Sequence, residues 1–207
     1  MINLENIELF INEDEDLWGV EAISLVHSPA MEKNWVALNE HKVQFKTLDE
    51  DKRIIIGLAL IPNKKIYRRN KGKEYTISFS EDTVRKASEL YLKRSNQHKA
   101  TLEHQEVANG VCLVESWLVQ DTDKDKTALY NLNAPVGSWA VTLKIDNDDI
   151  WARVKAGEYL GFSIEGMFDD KLEISEDELI MDEIVGTIIN ETLTDNEVLD
   201  KLKEILK

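Results

Sequence analysis

From Ile54 to Ile61 the chain reads I-I-I-G-L-A-L-I without a polar residue, and Pro62 closes the run. A short apolar stretch rich in β-branched residues and ended by a proline predicts a strand buried inside the protein. Such a strand constrains the rest of the chain, which must supply partners for its backbone and cover for its side chains. At 207 residues the chain is long enough to build one good-sized core around it, with room for an appendage.

The partners are legible as further strands. Residues 7–11 (IELFI), 18–26 (WGVEAISLV), 75–80 (YTISFS), 100–105 (ATLEHQ), 110–120 (GVCLVESWLVQ), 138–145 (SWAVTLKI) and 160–168 (LGFSIEGMF) all carry the pattern. A turn at His27-Ser28-Pro29 stops the second of them. Ser80 is placed to cap a helix that runs to about Arg94, with Glu81 and Asp82 in its first turn and Val84, Ala87, Leu90 and Tyr91 on one face. A second, short helix over 146–157 starts at an aspartate cap and ends at Gly157. The basic stretch N-K-K-I-Y-R-R-N-K-G-K (63–73) reads as a solvated surface turn, a stronger reading than a phosphate site. The sum is an α+β protein, with a mostly antiparallel, closed or highly curved, barrel-like sheet and helices outside it.

Charge divides the chain. Residues 169–207 hold thirteen acidic and four basic side chains, a net of −9 out of the whole chain's −15. Two capping boxes, S-E-D-E (175–178) and T-D-N-E (194–197), precede apolar-periodic stretches there, so an acidic helical tail (169–207) is expected to follow a body of residues 1–168. A balance of −15 argues against nucleic acid and against an anionic membrane surface as partners. No run of eighteen apolar residues is present, the acidic N-terminal stretch lacks the pattern of a signal peptide, and Cys112 is the only cysteine, which fits an intracellular setting.

Cofactor and metal chemistry find no support. His27, His41, His98 and His104 show no ligand spacing, one cysteine cannot build a zinc site, and neither a P-loop nor a G-x-G-x-x-G is present. Ser163 is the better prospect, lying in A-G-E-Y-L-G-F-S-I-E-G between Gly161 and Gly166. A serine hydroxyl needs a base before it can attack, and His104, at the end of T-L-E-H, is the best placed. Ser163 is not in a G-x-S-x-G elbow, which excludes the α/β-hydrolase arrangement. On spacing alone, structural roles for both residues outweigh a catalytic pair.

Taken in order, IIIGLALIPNKKIYRRN, YTISFSEDTVRKASELYL, TLEHQ, VESWLV and W-x-x-VKAGEYLGFSIEG resemble the prohead maturation proteases of tailed bacteriophages, in particular the XkdF-like phage serine proteases. These are distant relatives of the herpesvirus assemblins, and the likeness covers residues 18–168. It implies an assemblin-like fold, His104 as general base and Ser163 as nucleophile. The family's acidic segment, which elsewhere follows the serine, is matched here by W-G-V-E-A-I-S-L-V-H-S-P-A (18–30), implying a circular permutation with Glu21 as the acid. Glu115 and Glu165 are lesser candidates; Glu165 shares the strand face of Ser163 and is placed to shape the site. Backbone N–H groups of the Gly161–Gly166 segment, those of Gly161 and Ile164 among them, are the candidate oxyanion donors. The resemblance further implies an endopeptidase without a cofactor, located inside the procapsid in the bacterial host's cytoplasm. Its substrates would be scaffolding and major capsid proteins, with self-cleavage of the tail and self-association left open. The rival reading is a non-catalytic capsid-assembly or scaffolding protein on the same fold.

Overall fold

The computed structural model describes residues 4–12, 18–27, 45–49, 51–70, 73–171 and Lys201. The chain divides into two compact units, Met1–Lys171 and Leu172–Lys207. Only Lys201, in helical backbone, is described in the second unit, so the helices expected after residues 175 and 194 lie outside the described residues, as do Ser28 and Pro29 of the expected turn.

In the first unit the described strands form three open sheets of four. One has the order β12 (Asp169–Lys171), β1 (Asn6–Phe10), β6 (Lys73–Phe79), β5 (Ile66–Asn70). The second runs β3 (Lys46–Asp49), β4 (Ile54–Leu60), β10 (Trp139–Ile145), β9 (Val111–Leu118), and the third β11 (Gly161–Met167), β2 (Gly19–Val26), β7 (Ala100–Leu102), β8 (Glu106–Val107). The helices are α1 (Glu81–Lys93), α2 (Lys126–Leu129) and α3 (Asp148–Lys155). The protein is α+β, and among the described ladders only β1–β6 and β2–β7 are parallel. Among the described residues no sheet closes into a barrel. Closure needs one unbroken ladder around the ring, whereas here each four-stranded ladder ends at two edge strands.

The apolar run of 54–61 becomes β4, covered on both faces: Ile55 and Leu60 enter the main core, while Leu58 joins a smaller cluster with Val119, Ala134 and Ala140. Ser80 caps α1 through its hydroxyl, which accepts from the Thr83 N–H at 3.3 Å, an arrangement that contributes about 1 kcal/mol. Tyr91 of α1 packs edge-on against the buried Trp139, ring centroids 5.5 Å apart. The basic stretch is not a loop, because Ile66–Asn70 pairs antiparallel with β6.

Two devices set β11 in place. At the end of α3, Gly157 (φ +74°) donates to Val154 O and Glu158 N–H donates to Arg153 O, both at 3.0 Å. That pair of bonds is a Schellman motif, which turns the chain sharply into the next strand. The helix start differs slightly from expectation: Asn147 is the cap, its Oδ1 accepting from Ile150 N–H at 3.0 Å. At the other end of β11, a Cβ on Gly166 would lie 2.1 Å from Gly19 O. The register steps here from Glu165↔Ala22 to Gly166↔Val20, leaving Glu21 as the extra residue of a bulge. Asn96 Nδ2 donates to Val20 O at 3.2 Å and Arg94 donates to Trp18 O at 2.6 Å, which fastens the bulged end of β2 beneath α1.

Gly166→Ala therefore must push two backbones apart. We expect a loss of about 1–3 kcal/mol, read as a fall in the thermal midpoint, while Gly157→Asn, at a left-handed position with open space around it, should cost far less.

Candidate active site

Strand register places the candidate residues together. Ser163 pairs with Ser24 and Ser24 with Thr101, so the three side chains stand in one row across β11, β2 and β7. Glu165, two residues beyond Ser163, emerges on the same face about 7 Å further along the strand. Phe162 and Ile164 point the other way, into the core. Phe162 packs against Phe45 with ring centroids 5.3 Å apart. It also lies over Gly57 of β4, where a Cβ would meet its ring at 2.8 Å.

His104 enters this row from the turn between β7 and β8. Leu102 O accepts from Gln105 N–H at 3.0 Å, and the two central residues, Glu103 and His104, have φ of +50° and +59°. Those signs match a type I′ turn, normally built from Asn and Gly. Side chains in left-handed backbone cost about 1–2 kcal/mol each, so other contacts must hold this turn. Three are present. Glu103 N–H donates to Leu25 O at 3.0 Å, the Glu103 carboxylate accepts from His27 N–H at 2.5 Å, and His104 N–H donates to the hydroxyl of Ser24 at 3.0 Å.

The imidazole meets a carboxylate, with His104 Nδ1 3.2 Å from Glu165 Oε1. The same oxygen accepts the hydroxyl of Thr101. The two side chains are about one-third exposed, at 37% and 31%, so their attraction is only partly screened by solvent. Ser163, by contrast, is 3% exposed, and its Oγ has no hydrogen-bond partner among the described residues. Buried hydroxyls are nearly always satisfied. The hydroxyls of Ser138, Thr142 and Tyr159 share that unpaired state.

The remaining candidates are placed as follows. Glu21 is exposed at the β2 bulge, and its carboxylate has no hydrogen bond or ion pair with a described residue. Glu115 lies on β9 in contact with Lys126, whose ammonium, helped by the Thr142 hydroxyl, holds its carboxyl below the usual range. Gly161 and Ile164 differ in where their backbones point. Ile23 N–H donates to Lys99 O and Leu25 O accepts from Glu103, so these residues turn toward β7. By alternation Ala22, Ser24 and Val26 turn toward β11, and their partners Gly161, Ser163 and Glu165 turn back into that ladder. Phe162 and Ile164 then direct their N–H and C=O groups away from β2, to the outer edge of the strand. Sequence reasoning did not find Ser24 and Thr101, since small polar residues inside apolar strands carry no signal of their own. Among the described residues no group of His, Cys, Asp and Glu could hold a metal ion, and no helix is long and apolar enough to cross a membrane.

Ser24 and Ser163 share one sheet face with Glu165, and the β7–β8 turn brings the His104 imidazole to the Glu165 carboxylate. The family model described as "Putative phage serine protease XkdF" matches residues 42–173, more than half of the chain, and the chain belongs to that family. The match includes His104, Ser163 and Glu165 and begins after β2, so Ser24 and Glu21 lie outside it. No curated protein and no solved structure matches the chain.

Removing the Ser24 hydroxyl strips His104 of its backbone acceptor. Ser24→Ala should lower stability by about 1–2 kcal/mol and speed amide exchange at His104 relative to the β9–β10 ladder, measured by hydrogen–deuterium exchange.

Proposed function

We propose that the protein is a serine endopeptidase acting on phage scaffolding and major capsid proteins during procapsid maturation, inside the host cell. The observation that carries this reading is the Glu165 carboxylate 3.2 Å from His104 Nδ1, on the sheet face that also holds the enclosed, unpartnered hydroxyl of Ser163. Membership of a phage serine protease family supports it.

The proposed roles build on the contact of His104 with Glu165. A carboxylate at Nδ1 keeps the imidazole proton on that nitrogen and leaves Nε2 as the base. His104 Nε2 takes the Ser163 proton as Oγ attacks the scissile carbonyl, and the imidazolium that forms is stabilised by Glu165. The proton then passes to the leaving amine. Water, deprotonated by the same nitrogen, hydrolyses the acyl-enzyme and restores the Ser163 hydroxyl. Thr101 fixes the Glu165 rotamer, and Ser24 holds the turn that carries His104. The Ile164 N–H, directed to the outer edge of β11, is the better oxyanion donor of the two proposed, because Gly161 turns into the β2 ladder.

This reading gives the acid role to Glu165, in place of Glu21. It needs no circular permutation, since nucleophile and acid then sit on one strand in the order Ser163, Glu165.

Acylation by a fluorophosphonate probe, followed by intact mass, tests the assignments. Ser163→Ala and His104→Ala should abolish labelling. Glu165→Gln should slow it by about 10³–10⁴-fold, the scale of losing a triad carboxylate, and Glu21→Gln should leave it within about threefold. Undiminished labelling of Ser163→Ala would sink the peptidase reading. A large loss in Glu21→Gln with Glu165→Gln unaffected would return the acid role to Glu21.

A further inference from the structure

The turn that carries His104 also holds a carboxylate with no part in the chemistry above. Glu103 precedes His104 in left-handed backbone (φ +50°), where asparagine or glycine would suit the chain better. Its N–H donates to Leu25 O and the His104 N–H to Ser24 Oγ, so two adjacent residues of β2 hold the backbone of the turn. Two neighbouring points leave a turn free to rock about the line that joins them. The Glu103 carboxylate supplies a third point by accepting the His27 N–H at 2.5 Å, about 7 Å further along the chain than Leu25.

That third point is itself fastened. His27 Nδ1 lies 3.0 Å from Glu158 O, and because a carbonyl oxygen only accepts, Nδ1 carries the hydrogen. Glu158 sits in the turn between α3 and β11, where Arg153 grips its carboxylate through Nε at 2.9 Å and a second guanidinium nitrogen at 2.6 Å. Arg153 in turn lies over the ring of Tyr159, 4.7 Å from its centroid, and Leu160 N–H donates to Val26 O at 2.8 Å. The entry to β11, the end of β2 and the β7–β8 turn are thus joined by one run of bonds: Glu158 O, the His27 ring, the His27 N–H and the Glu103 carboxylate. An ionised acceptor makes the last of these a charge-assisted bond, about twice as strong as a neutral one. Resting on the peptidase reading above, we propose that Glu103 is a positioning residue for the candidate general base. Its carboxylate, through His27 and Glu158, fixes the tilt of the His104 turn against the strand that carries Ser163 and Glu165.

Two variants separate positioning from a simple turn preference. Glu103→Gln keeps the reach and an acceptor oxygen for the His27 N–H. Glu103→Asn suits left-handed backbone better but is one methylene shorter and falls short of that N–H. Each full-length variant is treated with the fluorophosphonate at saturating probe, where the extent of labelling counts competent protein and the rate constant reports alignment of the base. Glu103→Asn should label to the wild-type extent, with an unlowered thermal midpoint, at a rate reduced about ten- to hundredfold. Glu103→Gln should stay within about threefold of wild type, its amide oxygen losing only the charge assistance. His27→Ala, which frees the clasp from Glu158, should slow labelling as well. His27→Ala combined with Glu103→Asn should be no slower than the slower single variant, since both cut one run of bonds. A wild-type rate in Glu103→Asn, or a double variant whose loss is the product of the two single losses, overturns the positioning role. Hydrogen–deuterium exchange reads the clasp without reference to the chemistry. Glu103→Asn should speed exchange at His27 and His104 relative to the β9–β10 ladder, and Glu103→Gln should not. Unchanged exchange in Glu103→Asn overturns the clasp even if Ser163 reacts. Accelerated exchange there, with a wild-type protein that never labels, overturns the peptidase reading alone.

Discussion

The approach of Gly166 to Gly19 O fixes how β11 lies on β2, and that register determines the rest of the candidate site. In a two-residue repeat, a slip of one position sends every side chain to the opposite face. Here it would turn Ser163 and Glu165 into the core and bring Phe162 and Ile164 out to His104. The bulge at Glu21 absorbs the mismatch beyond Glu165↔Ala22, so the paired segment 161–165 stays in step with 22–26. Asn96 and Arg94 bind the backbone of β2 on the far side of that bulge, which ties the register to the end of α1. Phe162, seated over Gly57 and against Phe45, ties it to β4 as well.

On that fixed strand the two serines of one cross-strand pair have opposite fates. Ser24 Oγ accepts from His104 N–H and directs its own hydrogen toward Thr101 O, at 3.4 Å. Ser163 Oγ is enclosed and bonded to nothing among the described residues. An unmade bond in a buried hydroxyl costs about 1–3 kcal/mol, and the left-handed backbone of Glu103 and His104 adds a similar amount. Both costs fall within one small region, and the surrounding bonds over-determine its conformation. Local expense of that kind is expected where geometry is held for chemistry.

The sequence made the regular parts of this fold legible, because their signals are local. The β-branched run at 54–61, the Ser80 cap and the Gly157 stop each act within a few residues. The misses come from effects that no local pattern encodes. Ile66–Asn70 is a strand because β6 pairs with it, though five of the eight residues from Lys64 to Lys71 are cations and make it look like a solvated turn. The tight turn at Glu103-His104 lacks the Asn or Gly that announces such turns, so the β7–β8 hairpin was invisible. Ser163 and His104 were singled out through resemblance, and Glu165 was noted as a lesser candidate through the strand's alternation. What alternation could not supply was the partner: Glu165 and Glu21 both sit near strand residues of the right kind, and only the fold brings one of them to the imidazole.

Ser163 and Glu165 lie two residues apart on one strand. Their separation is set by the strand rise, about 7 Å over two residues, and cannot vary with the packing of distant elements. The imidazole is then the only member that a separate element must deliver, and it comes on a turn whose N–H is bonded to the strand between them. Among the described residues no strand pairs with the edge of β11 opposite β2, so an approach from that side leaves this bond in place.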